Sequence, residues 1–466
     1  MENHSWRDDA SRIRSAGICV LALYFAVQFV HSDFSVSAVL GALFLCVCAA
    51  GSAVLFLRDR AWKTKPWGTA DLLLAIYICV VLVNFLRVFS MNRTVLYYLL
   101  ILGSSALLFW TGAPAGRREL RIAKWILLAA AALVAVLQIL YRFFPTRVSG
   151  AMFSILSEDS RGYNTYLYSN GYGFALGRNI GYTAAILVTG VGLAAAELTA
   201  ENWKSRTPLL FLIYWGMLLL QRRGEALAST GLVLLLLVGR FVWVKRTGRP
   251  VRPAVIAAGI QIVCLAAAIA LIFALPGPNR LEETVQTIHQ AEVDQLKPSQ
   301  DTASKPVASP EQEAKPDGAA EHESSLMKAF DSIGNGRVAL WKLAWQGFRT
   351  SPVFGHGWGS FAEIAPLSGN QQVTNAHCIY LQLLYETGVV GFLIVCGALA
   401  GLFVLLWRRL FSRADRGAFC LCSFSMYCFL LILGEGLIDN SIYYSHYILV
   451  LIIGLMIAFR SEETAI

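Results

Sequence analysis

The sequence predicts an all-α protein, a polytopic bundle of about twelve transmembrane helices with a large, partly helical extracytoplasmic loop before the last three. Three observations predict it. Of the 466 residues, 56% are hydrophobic and only 15% charged, against about 25% charged in soluble chains, which argues against a water-soluble enzyme. The apolar residues come in blocks of about 17–25, the length that crosses a hydrocarbon core as a helix. The basic residues gather in alternate connections between those blocks, as the positive-inside rule requires.

The spans are expected at about 15–31, 36–57, 69–89, 95–111, 122–143, 180–198, 207–221, 225–244, 254–275, 388–407, 417–435 and 442–459. The first has a basic flank (Arg7, Arg12, Arg14) like a signal peptide. It lacks a convincing small-residue cleavage site and further spans follow at once, so a retained signal anchor is expected. Ten cysteines are present. All except Cys378 lie inside apolar blocks, and none shows metal-ligand spacing in a polar context, so they read as small core hydrophobes.

With the N-terminus in the cytoplasm, the cytoplasmic connections carry Arg58/Arg60/Lys63/Lys65, Arg117/Arg118/Arg121/Lys124, Lys204/Arg206, Lys245/Arg246/Arg249/Arg252 and Arg408/Arg409/Arg413/Arg416. The short outer connections hold only scattered arginines: Arg93, Arg142, Arg147, Arg161, Arg178, Arg222 and Arg223. Both termini are then cytoplasmic in a multi-pass plasma-membrane protein. The net charge of +9 reports topology and needs no nucleic acid or acidic partner. This orientation predicts that a tag at position 310 is accessible from outside the cell and one at position 413 is not. Labelling both from the same side would overturn the orientation.

Three regions follow: an N-terminal membrane region (1–275) with an outer loop at 144–179, a long extracytoplasmic loop (276–387), and a C-terminal membrane region (388–466). Within the long loop, 281–325 is rich in Gln, Glu, Ala, Lys and Pro with almost no aromatics. It cannot bury enough apolar surface to offset its ordering entropy and is expected to be disordered. Residues 326–387 carry Trp341, Trp345, Phe348, Phe354, Trp358, Phe361 and Tyr380 and are expected to fold.

Several charges break the pattern. Arg222 and Arg223, in Gln221-Arg222-Arg223-Gly224-Glu225, sit between two apolar spans on the side where positive charge is disfavoured. One reading is a tight turn with snorkelling arginines; the other is an anion site at the outer mouth. Glu225 can hold the Arg222 guanidinium by an i,i+3 pair. Arg178, opening the sixth span, is either a solvated loop charge or a further cation for that site. Glu435, followed by Asp439-Asn440, either balances one of these arginines or caps its short loop.

The 326–387 segment carries the densest pattern. Asn335 can cap a helix on which Arg337, Trp341 and Trp345 share a face, with Ser351-Pro352 ending it. Phe354-Gly355-His356-Gly357-Trp358-Gly359-Ser360-Phe361 is a glycine-dense turn able to approach another backbone closely. In Thr374-Asn375-Ala376-His377-Cys378-Ile379-Tyr380, Thr374 or Asn375 can cap a second helix. His377 is expected in its first turn, and the helix is expected to continue to Glu386 and stop at Gly388. A lone histidine is usually structural, but one at the membrane edge beside arginines suits a proton acceptor.

Arg337-x3-Trp341, Ser351-Pro352-x-Phe354-Gly355-x-Gly357-x-Gly359-x-Phe361 and Ala376-His377-x2-Tyr380-Leu381-Gln382-x3-Glu386-x-Gly388-x2-Gly391 together resemble the O-antigen ligase-like superfamily. That group includes O-antigen ligases, Wzy-type polysaccharide polymerases and O-oligosaccharyltransferases, which are polytopic with a large outer loop before the last spans. Arg223-Gly224 matches the family's Ser-Arg-Gly motif with Arg222 in place of Ser. Cys378 stands where Asn usually follows the histidine, and Gly355-His356-Gly357 replaces Gly-Ile-Gly.

The resemblance implies a glycosyltransferase that takes a glycan from a polyprenyl-diphosphate carrier and transfers it to an acceptor hydroxyl, on a glycan or glycolipid, at the outer face of the bilayer. His377 is then the general base. Arg223 and Arg337, with Arg222 or Arg178, bind the donor diphosphate as bidentate guanidinium forks. Glu225, Trp341, Glu386, Glu435 and His356 support the site. Direct attack would invert the anomeric configuration. No Asp-x-Asp or acidic outer cluster suits a divalent metal, so neither metal nor cofactor is expected. A Wzy-type polymerase would use the same donor with another lipid-linked unit as acceptor. A lipid-linked oligosaccharide transporter would instead place charges near the membrane midplane, where these spans carry almost none.

Overall fold

The computed structural model describes residues 2–28, 35–65, 67–88, 93–177, 179–275, 337–368, 374–412 and 415–460. Arg178, the 281–325 run and the expected helix cap at Asn335 lie outside them. The described residues are helical throughout, with no strand.

In chain order the principal helices are α1 (Glu2–Ser15), α2 (Gly17–Val27), α3 (Ser35–Arg58), α4 (Thr69–Val88), α5 (Arg93–Thr111), α6 (Arg117–Phe143), α7 (Pro145–Phe153) and α8 (Glu158–Ser169). They continue as α9 (Ile180–Glu197), α10 (Trp203–Leu219), α11 (Arg223–Arg246), α12 (Arg252–Ala274), α13 (Arg337–Thr350), α14 (Ile379–Ser412), α15 (Arg416–Glu435) and α16 (Ser445–Phe459). Among the described residues, nine helical stretches are long and apolar enough to cross a membrane, from Asp8–Val27 to Arg416–Glu435. The other expected spans fall on the shorter helices α5, α10 and α16. This is a multi-pass membrane protein, because only self-satisfied backbone can cross hydrocarbon in such blocks.

The first helical stretch long and apolar enough to cross a membrane begins at Asp8, ahead of the expected start at about 15. Arg14 is not a solvated flank. Its side chain is 7% exposed and pairs with Asp59 at 3.1 Å, so a buried ion pair ties α1 to the end of α3. The connection at 144–179 is also more ordered than a Tyr/Gly/Asn-rich loop suggests. It folds into α7, with Pro145 at its first position, and α8, where Ser157 Oγ accepts the Ser160 amide at 3.3 Å.

At the centre is α9, almost wholly buried. It packs against α6, α10, α11 and α15. A helix apolar on every side belongs in such a position. The last helix, α16, is buried along its length in the same way. The consequence for function is at the ends of these helices. The C-terminal ends of α10 and α15 and the N-terminal ends of α11 and α14 meet at one end of the bundle.

Candidate active site

Three short segments meet at that end: residues 221–225, where α11 begins; residues 436–444, between α15 and α16; and residues 374–379, leading into α14. Gly224 sets the closeness of the first two. A Cβ there would lie 2.4 Å from Ile438 Cδ1, so any larger residue would make that side chain move aside where α11 starts against the 436–440 turn. The Ile379 amide donates to Gly436 O at 2.8 Å and fastens the third segment to the second.

Arg222 lies among three carboxylates. Its Nη2 bonds Glu225 Oε1, stands 3.2 Å from Asp439 Oδ2 and 4.0 Å from Glu435 Oε1. Burial opposes the charge on this guanidinium, but Glu225, Asp439 and Glu435 together more than offset it and hold it ionised. Arg222 is thus engaged within the protein. Arg223 opens α11 beside it. Arg337, at the start of α13, donates from Nη1 to Ile438 O, which brings α13 onto the same turn.

His377 does not stand in the first turn of a helix, as its sequence context led us to expect. The helix begins at Ile379, and His377 adopts a left-handed backbone with φ 49°. A side chain in this region costs about 1–3 kcal/mol and persists only where its surroundings fix it. Here they do: the Ala376 amide donates to Gln382 Oε1 at 3.0 Å, and the Ile379 amide is held as above. The result aims the imidazole at Asp439, with Nδ1 3.0 Å from Oδ1. The same oxygen accepts the Asn440 amide at 2.8 Å and the Tyr444 hydroxyl at 3.4 Å.

Burial works against ionising Asp439. The hydrogen bond from His377 and the positive charge of Arg222 and Arg337 outweigh it, so this carboxyl titrates below the usual carboxylate range. An ionised carboxylate only accepts, so the neutral imidazole carries its proton on Nδ1 and presents its lone pair at Nε2. The His377 side chain is 27% exposed, enough for a reactant to reach it.

Asp439 is the residue that sequence reasoning left without a role. It joins the histidine to the arginine, and its sequence signal is its place beside Glu435 and Asn440 in the short connection between two apolar spans.

The glycine-dense turn has another task. Gly388 breaks α14 with φ 63° and ψ −174°, and the 352–357 segment fits into the break. The His356 amide donates to Tyr385 O at 2.9 Å, the Gly357 amide to Glu386 O at 2.7 Å, and the Val389 amide to Pro352 O at 2.8 Å. A Cβ on Gly355 would lie 2.5 Å from Glu386 C.

Glu386 is fully buried. It accepts Tyr443 Oη at 2.8 Å and Gln382 Nε2 at 3.0 Å. His356 stacks on Tyr385 with ring centres 4.5 Å apart, and its Nε2 lies 3.0 Å from Gly347 O and 3.1 Å from Thr350 Oγ1. Both residues brace the scaffold behind His377. On α13 the buried positions are Leu340 and Ala344, while Trp345 is half exposed, so the Arg337/Trp341/Trp345 face is not the one packed into the core. Trp341 Nε1 is buried without a hydrogen-bond partner among the described residues.

Fold and site together define a multi-pass helical membrane protein with a His–Asp pair and an arginine–carboxylate cluster at one end. Residues 208–396, fewer than half of the chain, match the family model Wzy_C, described as O-Antigen ligase. The match takes in Arg222, Arg223, Arg337 and His377, so this region is similar to that family. None of the curated proteins matches the chain.

Proposed function

We propose that the chain transfers a glycan from a polyprenyl-diphosphate carrier to an acceptor hydroxyl at the outer face of the plasma membrane, with both termini in the cytoplasm. The observation that carries this reading is His377 Nδ1 held 3.0 Å from the Asp439 carboxylate, beside Arg222 and Arg337, at one end of the bundle. Nε2 of His377 takes the acceptor's hydroxyl proton. The oxygen attacks the anomeric carbon as the bond to the diphosphate breaks, and the electron pair leaves with polyprenyl diphosphate. Attack opposite the leaving group inverts the anomeric centre. Asp439 keeps the imidazole in the competent tautomer and stabilises the imidazolium that forms.

Because Arg222 is engaged by three carboxylates, we assign the leaving-group charge to Arg223 and Arg337. Guanidinium forks bind phosphate bidentately and stay charged. Ligase and polymerase differ only in the acceptor, so product length separates them: one finished chain transferred, or a growing ladder.

The test is the purified full-length chain in lipid nanodiscs, given the lipid-linked glycan of its source cell and an acceptor glycolipid. Acceptor glycosylation with stoichiometric release of polyprenyl diphosphate is expected. Arg223→Ala and Arg337→Ala should each weaken donor binding and turnover together, because they contact charge present in both ground and transition states, by about 3 kcal/mol in the transition state. Lysine should restore only part of the loss. Full activity in both alanine variants would remove these residues from the clamp.

A further inference from the structure

The same end of the bundle holds a cavity that the chemistry above does not use. The C-terminal ends of α6, α10 and α12 and the 169–173 segment enclose about 450 Å³, within the roughly 300–1,000 Å³ of small-molecule sites. Its distinctive lining is Gln138, Tyr141, Arg142, Tyr168, Tyr172 and Gln221.

This cavity is built into the fold. Gln138 is buried, and its amide clamps the backbone of Phe174 from both sides: Nε2 donates to the carbonyl at 2.7 Å and Oε1 accepts the amide at 2.9 Å. The Gly173 amide donates to Leu220 O at 3.1 Å. A Cβ on Gly173 would lie 2.5 Å from Gln138 Oε1, so the tyrosine-bearing segment is pressed onto the end of α10. Tyr141 packs edge-on to both Tyr168 and Phe174. Tyr168 nevertheless stays 56% exposed, an aromatic ring presented at a mouth rather than committed to a core. The wall also leads directly to the charged cluster. Gln221, in a left-handed conformation with φ 59°, immediately precedes Arg222.

The chemistry of the lining selects the occupant. A lipid tail would desolvate three tyrosine hydroxyls, the Gln221 amide and a guanidinium at the cavity wall without supplying hydrogen bonds of its own. A free phosphate would meet Arg142 as the single cation among the described residues of the lining. A sugar suits both halves of the surface: its C–H face lies on the aromatic rings, and its hydroxyls exchange hydrogen bonds with phenols, amides and the guanidinium.

We propose that this cavity is a saccharide subsite, which takes a neutral pyranose of a glycan substrate against Tyr168 and Tyr172, with Arg142 and Gln221 bonding its hydroxyls. The assignment rests on the glycan-transfer reading. It makes the cavity a determinant of which glycan is accepted, one helix end away from His377.

The test uses the full-length chain in nanodiscs and two probes. One is the oligosaccharide released by mild acid from the source cell's lipid-linked glycan; the other is inorganic pyrophosphate. The double variant Tyr168→Ala/Tyr172→Ala should bind the oligosaccharide about tenfold more weakly or worse, with pyrophosphate affinity unchanged. In transfer assays it should raise the glycan KM by more than it lowers kcat. Tyr168→Phe, which keeps the ring, should bind the oligosaccharide nearly as wild type does. Unchanged oligosaccharide affinity in the double variant, with transfer intact, overturns the subsite alone. Absence of transfer by the wild-type chain, with no binding of either probe, overturns the glycan-transfer reading instead.

Discussion

His377→Ala is expected to lower turnover by on the order of 100-fold or more while binding of the lipid-linked donor survives, because a general base acts mainly in the transition state. The substitution is a clean one. Alanine meets the same left-handed backbone as histidine at φ 49°, and the Ala376 and Ile379 amides that hold this turn are untouched. Donor affinity and turnover measured on the same purified variant decide the matter. Normal turnover would remove His377 from the reaction. The next candidate would then be His356, which lies in the glycine-rich turn against Gly347 and Thr350.

Asp439→Asn is the second large effect. An amide is close to isosteric with the carboxylate but can donate to Nδ1, which favours the tautomer with its proton on Nε2, where no base can act. In a serine-protease triad the corresponding change costs about 10⁴-fold. Here a loss of about 100-fold or more in kcat is expected, with donor affinity retained. Arg222 keeps Glu225 and Glu435 as partners in this variant, so the joint between α11 and the 436–444 turn persists. Thermal unfolding of the purified variant should shift little. Asp439→Glu should recover part of the rate by restoring the charge. Full turnover in the asparagine variant would reduce Asp439 to a packing role.

Acidity provides a further expectation about this carboxylate. Its folded-state pKa lies below the usual range, so the stabilisation it provides is fully present above about pH 4, the unfolded value, and is lost only as the pH falls through the depressed one. Mild acidification should therefore leave Asp439 ionised and paired with Arg222.

Much of this protein was legible from local pattern. Blocks of apolar residues placed helices within a few residues of α3 to α6, α9 to α12, α15 and α16, and the stretch of α14 after its break at Gly388, because forming an apolar helix is a property of local sequence. The i,i+3 spacing of Arg222 and Glu225 and the break at Gly388 are also short-range, and both stand where spacing and glycine chemistry put them. The first crossing was less legible, because Arg14 reads as a solvated flank until Asp59 is brought against it. The shared face of Arg337, Trp341 and Trp345 on α13 was legible from their spacing, but which side of α13 is buried, at Leu340 and Ala344, depends on packing partners.

By itself, the sequence determined that the chain is a membrane-spanning helical bundle, and it singled out Arg222, Arg223, Arg337 and His377 as residues out of place in such a bundle. Tertiary structure alone decided what each of them touches. Asp439 lies 62 positions from His377 and 217 from Arg222, and it reaches both only because α9 draws α11 and α15 together around it. The left-handed turn at His377 exists because Gly436 and Gln382 hold it, and the tyrosine-lined cavity because the 169–173 segment closes over the end of α10. Hydropathy is summed along the chain, whereas a proton transfer or an ion pair depends on a separation of a few ångströms between atoms whose proximity only the packing of the whole bundle creates.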